Sequence, residues 1–199
     1  FFKNDLSVIK LSDDVLQNFV FHIGLVELIS YWKAACPPQI IIKPYFLSQE
    51  QVNWWKYLWF NGLGEFFYTN NIQVNLLDFV EVSTVGKNAP IPGLIQTENT
   101  KVLVPVGGGK DSAVTLELLK SHYNCMPFAV NPRGAILETI QAAGFSAENI
   151  IRVKRSIDPE LLRLNDRGFL NGHTPFSALI AFVSAFIAAL FGIRSIALS

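Results

Sequence analysis

Charge is scarce in this sequence. Only 16% of its 199 residues are Asp, Glu, Lys or Arg, and sixteen cations balance sixteen anions. An average chain is about a quarter charged. Half the residues are hydrophobic and the mean hydropathy is +0.31. So apolar a chain is not intrinsically disordered. Without a basic excess it also lacks the footprint of an electrostatic nucleic-acid binder. Cysteine is nearly absent: Cys36 and Cys125 form neither a CxxC nor a short metal spacing. A reduced, cytoplasmic chain is the expectation. No secretory signal is expected, since the chain opens Phe1-Phe2-Lys3-Asn4-Asp5 rather than with a basic region before an apolar one. It lacks an initiator Met and stops just after the strand-like Ile196-Ala197-Leu198, so a fragment cut at both ends is expected. No repeat or low-complexity segment is present.

The neutral total hides a split. Residues 1–98 carry six Lys/Arg against nine Asp/Glu, and residues 99–199 carry ten against seven. The mildly basic second half suits an anionic small ligand.

One long hydrophobic run stands out. Phe176–Ile193 has no charge, and Ser177 and Ser184 are its polar side chains. It reaches the lower limit for a membrane span. Its flanks favour a buried helix. Asn171-Gly172-His173-Thr174-Pro175 is helix-start chemistry, with Thr174 at the N-cap and Pro175 at the first helical position. No Trp or Tyr belt brackets the run. No membrane span is expected.

The first half alternates. Ser7–Leu11 reads as a strand, Asp14–Trp32 as a helix ending before Cys36-Pro37-Pro38, and Gln39–Lys43 as a short β-branched strand. Ser48 with Gln51 forms a capping box for a helix to about Gly62 or beyond. Asp78–Thr84 alternates like a strand. Residues 86–100 are rich in Gly, Pro and Asn and read as a linker. Two domains follow, 1–98 and 99–199. The second is a clearer βα series: strand 101–106, helix 112–122, strand 126–130, helix 134–143, strand 150–153, helices 159–164 and 175–191, and strand 195–198. Strands alternating with helices imply an α/β fold on a parallel sheet. Pro105 is an anomaly there, because it removes a ladder donor.

The chemistry concentrates in Val102-Leu103-Val104-Pro105-Val106-Gly107-Gly108-Gly109-Lys110-Asp111-Ser112. An apolar strand runs through a glycine turn into a helix. Glycine permits positive φ and close backbone approach, and a helix N-terminus favours an anion. Lys110 adds a mobile cation, Ser112 a hydroxyl, and Asp111 a cap or a metal ligand. The loop reads as a phosphate cradle, the alternative being an ordinary glycine turn with a capped helix. It is not a Walker A loop, because Asp111 follows Lys110 and Val104 stands five before Gly109. Nor is it GxGxxG, because Ser112 occupies the last glycine position.

The loop resembles the SGGxDS signature of the PP-loop ATP pyrophosphatases, matching at Gly108, Gly109, Asp111 and Ser112, with Gly107 in place of the first serine. Together, GGGKDSAV, NGHTPFSALIAF and HIGLVELISYWKAACP resemble the UDP-N-acetylmuramoyl-L-alanyl-L-glutamate epimerases, the MurL family. The resemblance implies a mixed α/β N-terminal domain followed by a PP-loop (HUP-like) parallel-sheet domain, truncated at the C-terminus. It implies ATP and Mg2+ as cofactors and UDP-MurNAc-L-Ala-L-Glu as substrate. The terminal L-Glu would become D-Glu through an acyl-adenylate. On this reading Gly107–Ser112 hold the phosphates, Lys110 offsets their charge and Asp111 helps bind magnesium. His173 is a candidate for acid–base work. The rivals are another adenylating PP-loop enzyme of amide-forming or amidotransferase type, a non-catalytic nucleotide-binding domain, and a membrane protein anchored by 176–193.

Other residues carry two readings. Asn131, after the second strand, is a nucleotide contact or a turn residue, and Arg133 grips a phosphate or a substrate carboxylate. Asn171, Gly172, His173 and Thr174 form a second substrate site or a simple helix start. His22 and His122 are structural or exposed. Trp32, Trp54, Trp55, Tyr57, Trp59 and Phe60 are core or a substrate wall. Arg152, Lys154 and Arg155 are a solvated face or a phosphate grip.

Overall fold

The computed structural model describes residues 11–90, 95 and 99–199. In chain order its elements are α1 (Asp13–Trp32), β1 (Gln39–Ile42), α2 (Gln49–Gly62), α3 (Gly64–Thr69), β2 (Glu81–Thr84), β3 (Asn99–Pro105), α4 (Lys110–Lys120), β4 (Cys125–Val130), α5 (Ala135–Ala142), β5 (Ile151–Val153), α6 (Pro159–Asp166), α7 (Phe176–Phe191) and β6 (Ile193–Ile196). Every pairing of these strands is parallel, as an α/β chain requires. The strand expected at Ser7–Leu11 lies, apart from Leu11, outside the described residues, as does part of the linker expected at 86–100.

The described residues form two compact units, one of 99–156 and 183–199, the other of 13–90 and 157–182. The sequence reading set one boundary at 98/99; here residues 157–182 group with the first-half segment.

In the first unit, four strands lie in the order β5-β4-β3-β6. Their interior is apolar on both faces: Leu103, Val104, Phe128, Leu116 and Ile140 are all fully buried. Such near-continuous hydrophobic strands are typical of parallel sheets covered on both sides. Pro105 is tolerated for a geometric reason. Val102 N–H donates to Asn124 O and Val106 N–H to Phe128 O, so the even positions of β3 face β4. Position 105 therefore faces β6, whose last registered pair is Leu103–Ile196. Ala197 N–H still donates to Leu103 O, and no registered pair follows, so proline stands where the ladder to β6 stops.

The second unit is built around aromatic burial. Ile29, Trp59, Leu63 and Phe66 are fully buried, and Trp59 Nε1 donates to Leu25 O at 3.0 Å. This supplies the partner that a buried indole needs. Ser48 and Gln51 form the expected capping box of α2. Trp32, Trp55 and Trp59 are core, whereas Trp54 and Tyr57 are exposed. His22 stacks on Trp55 and on Phe182, and its Nδ1 donates to Asn18 O at 2.8 Å. Its role is thus structural. An apolar groove of about 640 Å3 runs between α1 and residues 41–45. Mid-helix Gly24 lines it, and a Cβ there would meet nothing within 4 Å.

Helix α7 buries Leu179, Val183, Ser184, Ile187, Ala188, Ala189 and Phe191. Among the described residues no helix is long and apolar enough to cross a membrane. The helix begins at Phe176, so Pro175 rather than Thr174 stands immediately before it.

Candidate functional site

The order of the sheet decides where a ligand belongs. From β3 the chain moves through α4 to β4 and on through α5 to β5, all on one side. The next strand, β6, lies on the opposite side of β3. Strand order therefore reverses at β3. In open parallel sheets, ligands bind beyond the carboxyl ends of the strands at such a reversal. The segment leaving the carboxyl end of β3 is Val106-Gly107-Gly108-Gly109, which opens α4.

The three glycines do different work. Gly108 has φ +81°, and a Cβ on it would lie 3.0 Å from Ile136 N and 3.1 Å from Ile136 Cγ1. The fold itself demands glycine there, because the α5 start packs against the loop. Gly107 and Gly109 have no such need: a Cβ on either would meet nothing within 4 Å. Both are exposed. Gly109 is the N-cap of α4 and offers no side chain to the first N–H groups of the helix. These donors are orphans that an anion can satisfy. Lys110 and Asp111 are exposed beside them. Ser112 is only 5% exposed, and its hydroxyl donates to Gly109 O at 3.1 Å, bracing the turn.

Asn131 has φ +47°. Its Nδ2 donates to Arg155 O at 2.7 Å, and its Oδ1 accepts from Arg155 N at 2.9 Å. Its N–H also donates to Val153 O. These bonds extend the β4–β5 pairing past its end, so Asn131 acts as a turn residue here. Neighbouring Arg133 is exposed, with no hydrogen bond or ion pair to its guanidinium from the described residues.

Asn171–Thr174 belong to the second unit, where they form a tightly held turn. Lys33 Nζ donates to Asn171 Oδ1 at 2.9 Å and to Gly172 O. Asn70 Nδ2 donates to Asn171 O at 2.9 Å. Gly172 packs so closely on α3 that a Cβ would lie 3.1 Å from Phe66 Cα. Pro175 packs on Gly62, where a Cβ would be 2.3 Å from its own Cβ. His173 projects from this turn with its side chain 80% exposed, and its Nδ1 pairs with Glu65. A carboxylate only accepts, so Nδ1 is the nitrogen that donates to Glu65. Lys33, Glu65 and Asn70 escaped the sequence reading. One signal was visible: Lys33 is the sole cation in the apolar stretch from Leu11 to Ile42.

Comparison with known proteins bears on the whole chain. Residues 4–199 match the MurL N-terminal domain. The chain belongs to the MurL N-terminal domain family. Relatives of this MurL domain include a UDP-N-acetyl-alpha-D-muramoyl-L-alanyl-L-glutamate epimerase from Xanthomonas oryzae pv. oryzae, 31% identical over 88% of the chain and 38% of the relative. Another of the same name, from Salinispora tropica, is 34% identical over 86% of the chain and 36% of its own length. A third, from Micromonospora, is 31% identical over 83% and 36%. The MurL domain thus spans little more than a third of the curated relatives it matches. No solved structure matches it.

The fit to magnesium follows from the donor set. The described residues of the MurL domain hold no group of three or more His, Cys, Asp or Glu arranged for a metal. Mg2+ is commonly held by one or two carboxylates together with substrate phosphates and water. Asp111, beside the glycine loop, is a carboxylate of that kind.

Proposed function

We propose that this chain is the ATP-binding, adenylating part of an epimerase that converts the terminal L-Glu of UDP-MurNAc-L-Ala-L-Glu to D-Glu in peptidoglycan precursor synthesis. One observation carries the nucleotide part. The loop Gly107–Ser112 leaves β3 where strand order reverses, and two of its glycines leave space that the fold does not use. The relatives' names support the substrate. The domain is then of PP-loop type, and the reaction is cytoplasmic, where ATP and nucleotide sugars are available.

The chemistry follows from the acidity of the carbon. A carboxylate makes its α C–H a very poor acid. In the proposed reaction the terminal carboxylate attacks the α-phosphorus of ATP, and the bond to pyrophosphate breaks. The acyl-adenylate has lost the carboxylate charge, so a base can take the α-proton. A proton returns to the other face, and water splits the mixed anhydride to carboxylate and AMP. The backbone N–H groups at Gly107–Gly109 and the start of α4 bind the phosphates. Lys110 offsets the charge developing on them. Asp111 would hold Mg2+, which screens the phosphates. Ser112 keeps the loop in shape. Arg133 suits a phosphate or a substrate carboxylate.

The test uses the full-length protein in D2O, with ATP, with and without UDP-MurNAc-L-Ala-L-Glu. Substrate-dependent AMP and pyrophosphate, with deuterium at the glutamate α-carbon, are expected. AMP formed with a different acid would retain the loop chemistry and reject the substrate. ADP, or no turnover, would reject the adenylating reading.

A further inference from the structure

The turn after β4 has almost no conformational freedom. Asn131 sits at φ +47°, which non-glycine residues rarely adopt and asparagine tolerates best. Its amide holds both backbone groups of Arg155, at 2.7 and 2.9 Å, and its own N–H is bound to Val153 O. Pro132 fixes the next φ. Gly134 follows at φ +47° and ψ −125°, a conformation that suits only glycine. Ile136 N–H then donates to Arg133 O at 3.2 Å, which ties the turn to α5. What this order holds in place is Arg133, whose guanidinium is exposed and has no hydrogen bond or ion pair among the described residues.

The turn also adjoins the glycine loop. A Cβ on Gly108 would lie 3.2 Å from Ala135 C and 3.0 Å from Ile136 N. Arg133 stands two residues before Ala135, a span of at most about 7 Å. A long side chain there can reach the space above the loop. Loop, turn and Arg155 all belong to one compact unit.

We infer that Arg133 grips the β- and γ-phosphates of ATP and stabilises the pyrophosphate as it leaves, with Asn131 as its positioning residue. The inference rests on the adenylating reading above. It chooses between the two anions that Arg133 suits. Attacking and leaving oxygens stand roughly in line across phosphorus, so the incoming carboxylate and the departing pyrophosphate lie on opposite sides of it. A cation beside the loop that takes the phosphates is on the pyrophosphate side. As the bond between the α-phosphorus and its bridging oxygen breaks, that oxygen keeps the electron pair. Arg133 donates N–H hydrogen bonds to the pyrophosphate oxygens as their charge grows, and it transfers no proton. Its planar fork meets two oxygens at once, which a lysine cannot do. Asn131 acts only through Arg133, by holding the backbone from which that side chain projects.

The experiment uses the full-length protein and two readouts, with each variant shown by its thermal midpoint to be folded at the assay temperature. One is calorimetric binding of inorganic pyrophosphate and of AMP, each with Mg2+. The other is AMP formation with ATP and UDP-MurNAc-L-Ala-L-Glu varied in turn. Arg133→Ala should weaken pyrophosphate binding at least about tenfold and leave AMP binding within about threefold. It should lower kcat for AMP formation roughly 100-fold, the scale for losing one preorganised donor, and leave KM for the UDP-sugar nearly unchanged. Arg133→Lys should be intermediate. Asn131→Gly permits the same backbone and removes the amide; it should weaken pyrophosphate binding about fivefold through misplacement of Arg133. Added to Arg133→Ala it should cause no further loss, a coupling that a merely structural role would not produce. Additive losses would overturn the positioning role. No pyrophosphate binding by wild type, or unchanged affinity in Arg133→Ala, would overturn the grip and leave the adenylating reading standing. A raised KM for the UDP-sugar alone would also overturn it, by making Arg133 a carboxylate ligand. A wild type that forms no AMP would defeat the adenylating reading itself, and the grip with it.

Discussion

Lys33 Nζ lies 2.9 Å from Asn171 Oδ1, across 138 positions of sequence. The lysine is buried at the end of α1, and the asparagine starts the turn that leads into α7. Lys33→Met keeps the stem and removes the donor. Asn171 Oδ1 then keeps only Gly172 N–H, and Gly172 O loses its lysine. Hydrogen bonds from charged donors are worth roughly 1.5–3 kcal/mol each. The expected loss in chemical denaturation is about 2–3 kcal/mol, with Lys33→Arg intermediate. No loss would mean that the turn holds itself.

The glycine loop gives a contrast between fold and ligand. Gly108→Ala places a Cβ at positive φ and 3.0 Å from Ile136 N, so stability should fall by about 1–3 kcal/mol. Gly107→Ala and Gly109→Ala meet no atoms and should leave the thermal midpoint nearly unchanged. Both should weaken ATP binding at least tenfold in titration calorimetry. Equal effects of all three on stability, with no effect on ATP, would make the loop a plain turn.

Gly24 sits in the middle of α1 facing open space. Alanine in a helix interior is better than glycine by roughly 0.5–1 kcal/mol. Gly24→Ala should stabilise the protein by that amount in urea denaturation. A destabilisation would show that the groove between α1 and residues 41–45 is filled in the working protein.

Burial pushes the Cys36 and Cys125 thiols above their ordinary value of 9.0. The folded state thus favours the neutral thiol. The stability this contributes is complete below pH 9.0 and is lost as pH rises from there through the folded-state values. Iodoacetamide should label both more slowly than free cysteine at pH 8, and urea should restore the rate. Labelling of native protein at the free-cysteine rate would contradict the burial.

Much of this architecture was readable from local pattern. The βα alternation after residue 99, the capping box at Ser48 and Gln51 and the buried character of α7 each rest on neighbours in sequence. The glycine loop was readable for the same reason, since strand, turn and helix start are contiguous. What could not be read were the relationships closed over long distances. The reversal of strand order at β3 depends on β6. The hold on Asn171 depends on Lys33 and Asn70, 138 and 101 positions away. Helix α3 was absorbed into its predecessor, because Leu63 and Gly64 carry no stop signal stronger than a single glycine.

The pairing of β3 with β6 also sets a timetable. Asn99 registers with Ile193 in that pair, so almost a hundred residues must leave the ribosome before one flank of β3 finds its partner. At about 5–20 residues per second, that interval is roughly 5–20 s. Throughout it, β3 offers a free edge of the kind that recruits other strands. The carboxyl ends of β3 and β6 are therefore the last part of this sheet to come together. A nascent chain that stops short of β6 will carry the complete glycine loop and still lack one flank of the strand that leads into it.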